Sequence, residues 1–234
     1  MKNSRGSDSV LVSVLIPAFN EEKTVGKVVE RASRVLEELD LPFEIIIVDD
    51  GSSDDTTVVA ESFGAKVIRN NHRMGKGIAL RIGFNVCRGN VIVTLDADGS
   101  HQPEEIPSLL KPILNSGFDA VFGCRFHNPT SPPITEFRFT GNRLFDYFIY
   151  LFTRKRIVDS QCGFRAFKTR VVKSMKLSSR WFEIESEMLI KVIKGKYRFI
   201  EVPVTFAIAS SSSKLNSFRD GPIILLKILS KCFK

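Results

Sequence analysis

Short apolar runs alternating with segments of helical spacing constrain this chain more than any other feature. Val10 to Ile16, Phe43 to Val48, Ala65 to Arg69, Val91 to Leu95 and Asp119 to Gly123 are each too short for a buried helix and read as strands. Between them, Thr24 to Leu39 repeats apolar residues at helical spacing (Val25, Val28, Val29, Ala32, Val35, Leu36, Leu39), with Thr24 as expected N-cap. Further helices are expected up to about Phe63, from Gly75 to about Cys87, and from Pro103 to about Asn115. Strands that are apolar throughout and alternate with helices imply an α/β fold with a mostly parallel central sheet and helices on both faces. After Arg125 the pattern weakens. Asn128 to Pro133 reads as a mobile loop, Thr140 to Arg154 as an aromatic-rich helix, and Asp159 to Phe167 as a loop and short strand. Glu183 to Ile193 reads as a helix, and Phe199 to Phe206 as an edge strand broken by Pro203.

Ligands of such sheets bind beyond the carboxyl ends of the strands. The polar turns after Ile16, Val48 and Leu95 therefore converge on one edge. The last of them carries Asp96 and Asp98. Residues two apart on an extended chain point the same way, so both carboxylates can serve one cation. Hard oxygen ligands suit Mg²⁺ or Mn²⁺, which in turn hold diphosphates. The plainer reading of Asp-Ala-Asp is an acidic turn after a strand.

The other phosphate-handling patterns fail. Gly75-Lys76-Gly77 is not followed by the P-loop consensus, and Leu80 stands where a dinucleotide fingerprint needs glycine. Lys76 at a helix start can reach a phosphate, or the segment is simply a helix-opening loop. No run of about 18 apolar residues is present to span a membrane. Residues 1 to 9 are polar and unlike a signal peptide. Four cysteines form no C-x-x-C pair or zinc spacing, which points to reduced thiols in the cytosol. The net charge of +8 favours an anionic partner. Without a basic run or an aromatic-basic platform, nucleic acid ranks last among such partners. The end of the chain offers a membrane surface instead: Lys227, Lys231 and Lys234 recur at helical spacing among apolar residues from Ile223 onward. The alternative is a helix packed on the core with its lysines in water.

Several blocks, in order and spacing, resemble the family 2 glycosyltransferases of GT-A fold, closest to the branch of dolichol-phosphate mannose synthases. The blocks are Val14-Leu-Ile-Pro-Ala-Phe-Asn-Glu-Glu22, Ile46-Ile-Val-Asp-Asp-Gly-Ser-Ser-Asp-Asp-Thr56, Asn70 with Gly75-Lys-Gly, Asp96-Ala-Asp98, Gly123-Cys-Arg125 and Asp159-Ser-Gln-Cys-Gly-Phe-Arg-Ala-Phe167. The resemblance covers roughly residues 10 to 215. It implies that Pro17, Ala18, Glu21, Asp49 and Asp50 line the nucleotide, and that Asp96 and Asp98 hold Mg²⁺ or Mn²⁺ on the donor diphosphate. It places Arg125 and Arg138 on the lipid phosphate of the acceptor, and Asp159 and Gln161 at the sugar. The implied reaction moves one sugar from GDP-mannose or a UDP-sugar to a polyprenyl or dolichyl phosphate, inverting the anomeric centre. The implied place is the cytosolic face of a membrane, held peripherally or through an anchoring partner or a second copy.

The chain departs from that branch at Ser100, where a metal-holding glutamine is usual, and at Ala207 and Ala209, where arginines are usual. Lys214 remains as a phosphate contact, with Arg219 as a substitute. A phosphate monoester is ionised at neutral pH, its second pKa being about 6, so it needs no general base. His72, His101 and His127 are lone loop histidines without an assigned role. The expected layout is a tail over residues 1 to 9, a GT-A domain over 10 to 215, and a basic amphipathic helix over 216 to 234. Two rivals remain. One is transfer to a saccharide hydroxyl with Asp159 or Glu185 as base, and the other is a non-catalytic nucleotide-sugar-binding subunit.

Overall fold

The computed structural model describes residues 10–127, 136–207 and 217–233, with the side chains of 127, 136–139, 217–219 and 233 outside the description. The element order alternates as the pattern requires. β1(Val12–Ala18), α1(Val25–Glu38), β2(Phe43–Asp49), α2(Thr56–Ser62), β3(Lys66–Arg69), α3(Lys76–Val86) and β4(Val91–Thr94) form the first half. A 3-10 turn leads into α4(Ile106–Ser116) and β5(Ala120–Cys124). Then follow α5(Glu136–Thr153), β6(Arg165–Lys168), α6(Thr169–Ser174), α7(Ile184–Lys194), β7(Phe199–Pro203) and α8(Ser217–Phe233).

The strands make one seven-stranded sheet of order β3-β2-β1-β4-β6-β5-β7. β1 pairs in parallel with β2 and β4, β2 with β3, and β5 with β7. β6 runs antiparallel to both neighbours, β4 and β5. Its reversal decides where the site can be. The loop before an antiparallel strand starts at the edge where parallel strands end, so residues 159–163 meet the turn after β4. The register Thr94↔Arg165 fixes that meeting.

Period-two alternation along the strands feeds two cores. Val12, Val14 and Ile16 of β1 face one layer with Val25, Val29 and Leu36 of α1 and Leu109 of α4. Leu15 faces the other layer, with Leu80 and Phe84 of α3, Phe145 of α5, Ile184 of α7 and Ile224 of α8. Each such side chain, fully buried, contributes about 1.5–3 kcal/mol, so the sheet is held from both faces as expected.

Some expectations shift in detail. β1 continues through Pro17 to Ala18, because pairing with β4 ends at Leu15 and leaves no rung on that side for the missing N–H. Thr24 occupies the N-cap position of α1 without capping it, since its hydroxyl donates to Glu21. Pro203 ends β7, which lies on the sheet edge. The loop expected at Asn128 to Pro133 lies outside the described residues. The short helix α6 was not anticipated.

Candidate active site

Asp96 and Asp98 leave β4 at the carboxyl edge. Lys76, the first residue of α3, reaches across with its ammonium 2.6 Å from Asp96 and 2.9 Å from Glu185 of α7. Gly163, from the loop before β6, makes room for this pair. A Cβ there would lie 2.8 Å from Asp96 Oδ2 and 3.0 Å from Lys76 Nζ. The Gly163 carbonyl is itself fixed by the Thr94 hydroxyl at 2.7 Å.

Burial alone would push the Asp96 carboxyl up, but Lys76 outweighs burial and holds it below the usual carboxylate range. Asp98 is raised, first by burial and then by the charge of Asp96, with Glu21 adding to it. Its Oδ1 accepts from the Ser100 backbone N–H at 2.9 Å. Two carboxylates held together, one disfavoured by the other's charge, form a cation-seeking set. Among the described residues no group of three or more His, Cys, Asp or Glu side chains could hold a metal ion. A pair of carboxylates suits Mg²⁺, which takes one or two protein carboxylates and completes its shell with substrate phosphates and water.

Asp159, in the loop before β6, and Arg125, just after β5, are locked together. Arg125 Nε donates to Asp159 Oδ2 and its Nη2 to Oδ1, both at 2.7 Å, while its backbone N–H adds a third bond at 3.0 Å. Charge-assisted bidentate pairs of this kind hold geometry well. The guanidinium carbon also lies 5.4 Å from the centre of the Phe206 ring. Gln161, the next expected sugar contact, donates its amide to Ser160 and to Ser186 of α7.

The acidic pair after β2 accepts hydrogen bonds from its own and a neighbouring loop. Asp49 is fully buried, with Oδ1 accepting from the Ser52 N–H and hydroxyl and Oδ2 from the Thr57 hydroxyl. Asp50 accepts from Asn70 and from the backbone N–H groups of Met74 and Gly75. These carboxylates pin the loops that follow β2 and β3. Pro17 is half-buried and Ala18 buried at the end of β1, where the Ala18 carbonyl accepts from the Asp50 N–H. Glu21 is buried beside them, and its Oε2 accepts from Thr24. At the start of α3 the Gly77 N–H donates to the Arg180 carbonyl at 2.9 Å. Lys76 serves the site with its side chain. The backbone of Arg138 lies in α5 while its side chain, like that of Arg219 and the whole of Lys214, lies outside the described residues.

Two site residues escaped sequence reasoning. Arg165 is fully buried in β6, donating to the carbonyls of Cys162, Glu185 and Ser160 at 2.6, 2.7 and 2.8 Å. It knits the loop that carries Asp159 and Gln161 onto α7. An arginine in an otherwise apolar Phe-Arg-Ala-Phe run was the available signal. His101 is the other. It is buried between Phe164 and Phe206, with Nε2 4.0 Å from Asp96, and burial drives its pKa down to about 4, so it is neutral. The chain after β7 crosses the same turn. Thr205 N–H donates to Glu105, and Ala207 N–H to the Ser100 carbonyl at 2.8 Å. Of the three departures from the family pattern, Ser100 and Ala207 are thus neighbours in space, while Ala209 lies outside the described residues.

Comparisons with known proteins give the family and the fold. The family profile described as Glycosyl transferase family 2 matches residues 13–176. An uncharacterised protein of Methanocaldococcus jannaschii is 31% identical over 227 residues, 93% of this chain and 90% of its own. An undecaprenyl-phosphate 4-deoxy-4-formamido-L-arabinose transferase of Serratia proteamaculans is 36% identical over 170 residues, 70% of this chain and 51% of its own. Glycosyltransferase AglD of Haloferax volcanii is 29% identical over 90% of this chain, which spans 35% of that protein. The chain therefore spans about half or less of the relatives named as transferases. Among solved structures, glucosyl-3-phosphoglycerate synthase of Mycobacterium tuberculosis, in complex with Mn²⁺, UDP and phosphoglyceric acid, matches with a TM-score of 0.80 at 22% identity. That match covers 95% of this chain and 78% of the synthase.

Proposed function

Because the chain belongs to glycosyl transferase family 2, we propose that it moves a single sugar from a nucleotide-diphosphate sugar to a polyprenyl phosphate, inverting the anomeric centre. The observation that carries this reading is the state of the acceptor-side carboxylates. Asp159 is held bidentately by Arg125, and Glu185 is ion-paired with Lys76 and Arg165. Neither is poised as the general base that a sugar hydroxyl requires. A phosphate acceptor arrives ionised and needs none. The relatives named as undecaprenyl-phosphate transferases support the same acceptor class.

Asp96 and Asp98 would hold Mg²⁺ or Mn²⁺, whose charge would offset that of the leaving diphosphate. Lys76 adds a second positive charge beside Asp96, held in place by Glu185. Arg125, fixed by Asp159, presents its remaining N–H groups to the acceptor phosphate. Catalysis then consists of aligning two anions and stabilising the leaving group.

The acceptor's lipid requires a membrane side. No helix among the described residues is long and apolar enough to cross a membrane. α5 exposes Leu144, Tyr147 and Leu151, and α8, packed against it, exposes Ile223 and Leu226. This apolar face rests on the cytosolic surface of a bilayer. Lys227 and Lys231 turn to the protein instead, toward Glu187 of α7 at 3.9 and 2.9 Å.

A transfer assay tests the reading, with short-chain polyprenyl phosphate, a panel of GDP- and UDP-sugars, and Mn²⁺ or EDTA. Product with one donor that disappears with EDTA is expected. Nucleotide binding with no product from any donor would overturn the lipid-phosphate reading and favour a hydroxyl acceptor or a binding subunit.

A further inference from the structure

The opposite edge of the sheet holds a cavity of about 580 Å³. It lies beneath the amino ends of β1 and β4 and the last residue of β6, which share one row through the pairs Val12↔Val91 and Val91↔Lys168. The whole of β4 separates it from Asp96 and Asp98. Its volume is within the range of small-molecule sites, about 300–1,000 Å³. Its lining is divided by chemistry. Val10, Val91, Ile113 and Leu114 form an apolar side, and Arg88, Lys168, Arg170 and Lys173 a cationic one.

These cations are not balanced by the protein. Arg88 pairs with Glu44 at 3.2 Å. Lys168 and Arg170 share one oxygen of Asp119, at 3.2 and 2.6 Å. Lys173 has no hydrogen-bond or ion-pair partner among the described residues. Four cations therefore meet two carboxylates, and two positive charges are left in excess. Asn90 adds a donor: its Oδ1 accepts from the Leu11 N–H at 3.0 Å, and its amide NH₂ has no described partner. The frame is fixed. The Thr169 N–H donates to the Asn90 carbonyl at 3.0 Å and its hydroxyl to the Gly89 carbonyl. The Gly89 N–H donates to Ser13 Oγ at 2.9 Å, and a Cβ on Gly89 would lie 2.6 Å from the Ser13 nitrogen.

We propose that this cavity is a second ligand site, which takes a small organic phosphate with its apolar part against Val91 and Ile113 and its phosphate among Lys168, Arg170 and Lys173. A phosphate monoester carries about −1.5 to −2 at neutral pH, which matches the excess on the cationic side. The apolar side favours an organic ester over the bare ion, since each methylene taken out of water adds about 0.8 kcal/mol. The site stands apart from the carboxyl edge and does not depend on the sugar-transfer reading.

Hexyl phosphate is a suitable probe, with inorganic phosphate and hexanol as its two halves, each titrated calorimetrically into the full chain at low salt. Hexyl phosphate should bind at least about fivefold more tightly than inorganic phosphate, and hexanol should not bind measurably. Lys173→Glu should weaken hexyl phosphate about tenfold and Lys173→Ala about threefold, with both effects shrinking as salt rises. Lys173 holds nothing in the folded chain, so the melting temperature of either variant without ligand should match the parent and a loss of binding reads the site. Hydrogen exchange locates the ligand: hexyl phosphate should protect amides within residues 88–91 and 168–173, and Lys173→Glu should remove that protection. Flotation with vesicles containing phosphatidic acid separates the sources. A loss in Lys173→Glu beside the calorimetric loss would assign the phosphate to a bilayer lipid, and unchanged flotation beside it to a free ligand, either of which supports the site. Protection confined to the turns around Asp96 and Arg125 would overturn the proposal, as would unchanged binding by Lys173→Glu. Equal affinity for hexyl and inorganic phosphate would overturn the organic ligand.

Discussion

Asp98 is the residue on which the proposed chemistry turns. Its carboxyl is raised by burial and by Asp96, so a divalent ion relieves an existing repulsion when it binds. Asp98→Asn should therefore abolish tight Mn²⁺ binding, read by electron paramagnetic resonance, and lower metal-supported transfer by at least about 100-fold. Asp146 offers a cleaner test of burial. It sits inside α5 with Oδ1 accepting from the Ser160 N–H and Oδ2 unpartnered. Burial pushes its pKa up to about 7, with Asp159 and Glu201 adding to it. A carboxyl raised in the folded state favours unfolding as pH climbs from about 4 to about 7, because only the unfolded chain ionises freely there. Asp146→Asn should raise the melting temperature by about 4 °C or more at pH 8 and by less than about 1 °C at pH 4. Equal gains at both values would refute the titration. Asp96 and Asp98 were legible in the sequence because a short apolar run ends in them. The partnership of Lys76 with Asp96 was not, since it depends on α3 and β4 meeting across 20 positions of chain. The loop-pinning bonds of Asp49 and Asp50 were hidden for a related reason. A carboxylate after a strand looks the same in sequence whether it faces a ligand or pins its own loop.

At the scale of elements, the last helix is tied down by charge. Glu187 of α7 is buried, and burial alone would raise its carboxyl. Hydrogen bonds from Ser179, Lys231 and Ser178 outweigh that and hold it at about 2, against an ordinary 4.5. A lowered carboxylate contributes stability that is present above pH 4.5 and lost as pH falls toward 2. That contribution is at most about 3 kcal/mol at neutral pH. Urea unfolding of Glu187→Gln should show the loss at pH 7 and no further loss through the acid range where the parent weakens. The helical spacing of Lys227 and Lys231 was plain from sequence. Their direction was not, because a buried carboxylate on another helix decides it. Gly75 joins two elements in a similar way. It stands at φ +112°, and a Cβ would come within 2.3 Å of the Arg180 carbonyl. Gly75→Ala should destabilise by about 2–3 kcal/mol in chemical denaturation, combining backbone strain with a displaced loop.

For the whole molecule, alternation of strands and helices was enough to give the sheet and its two covered faces. It could not give strand order, because β6 is a strand of four residues whose direction only its neighbours reveal. The same limit applied to the outer surface, where exposure and burial share one helix. Leu226→Glu combined with Tyr147→Glu should lower partition onto anionic vesicles in a flotation assay by about tenfold. Unchanged flotation would move the membrane side elsewhere. The reversed strand also divides the labour of the fold. Everything from β1 to β4 builds the side proposed for the donor, while β5, β6 and the loop between α5 and β6 build the acceptor side. The halves meet along the β4–β6 ladder from Val91–Lys168 to Thr94–Arg165, at the Lys76–Glu185 pair and where the Gly77 N–H meets the Arg180 carbonyl. A chimera that keeps residues 10–124 and takes the remainder from a relative should therefore keep its choice of nucleotide while adopting the other protein's acceptor. The fold is in this respect two exchangeable cassettes sharing one seam.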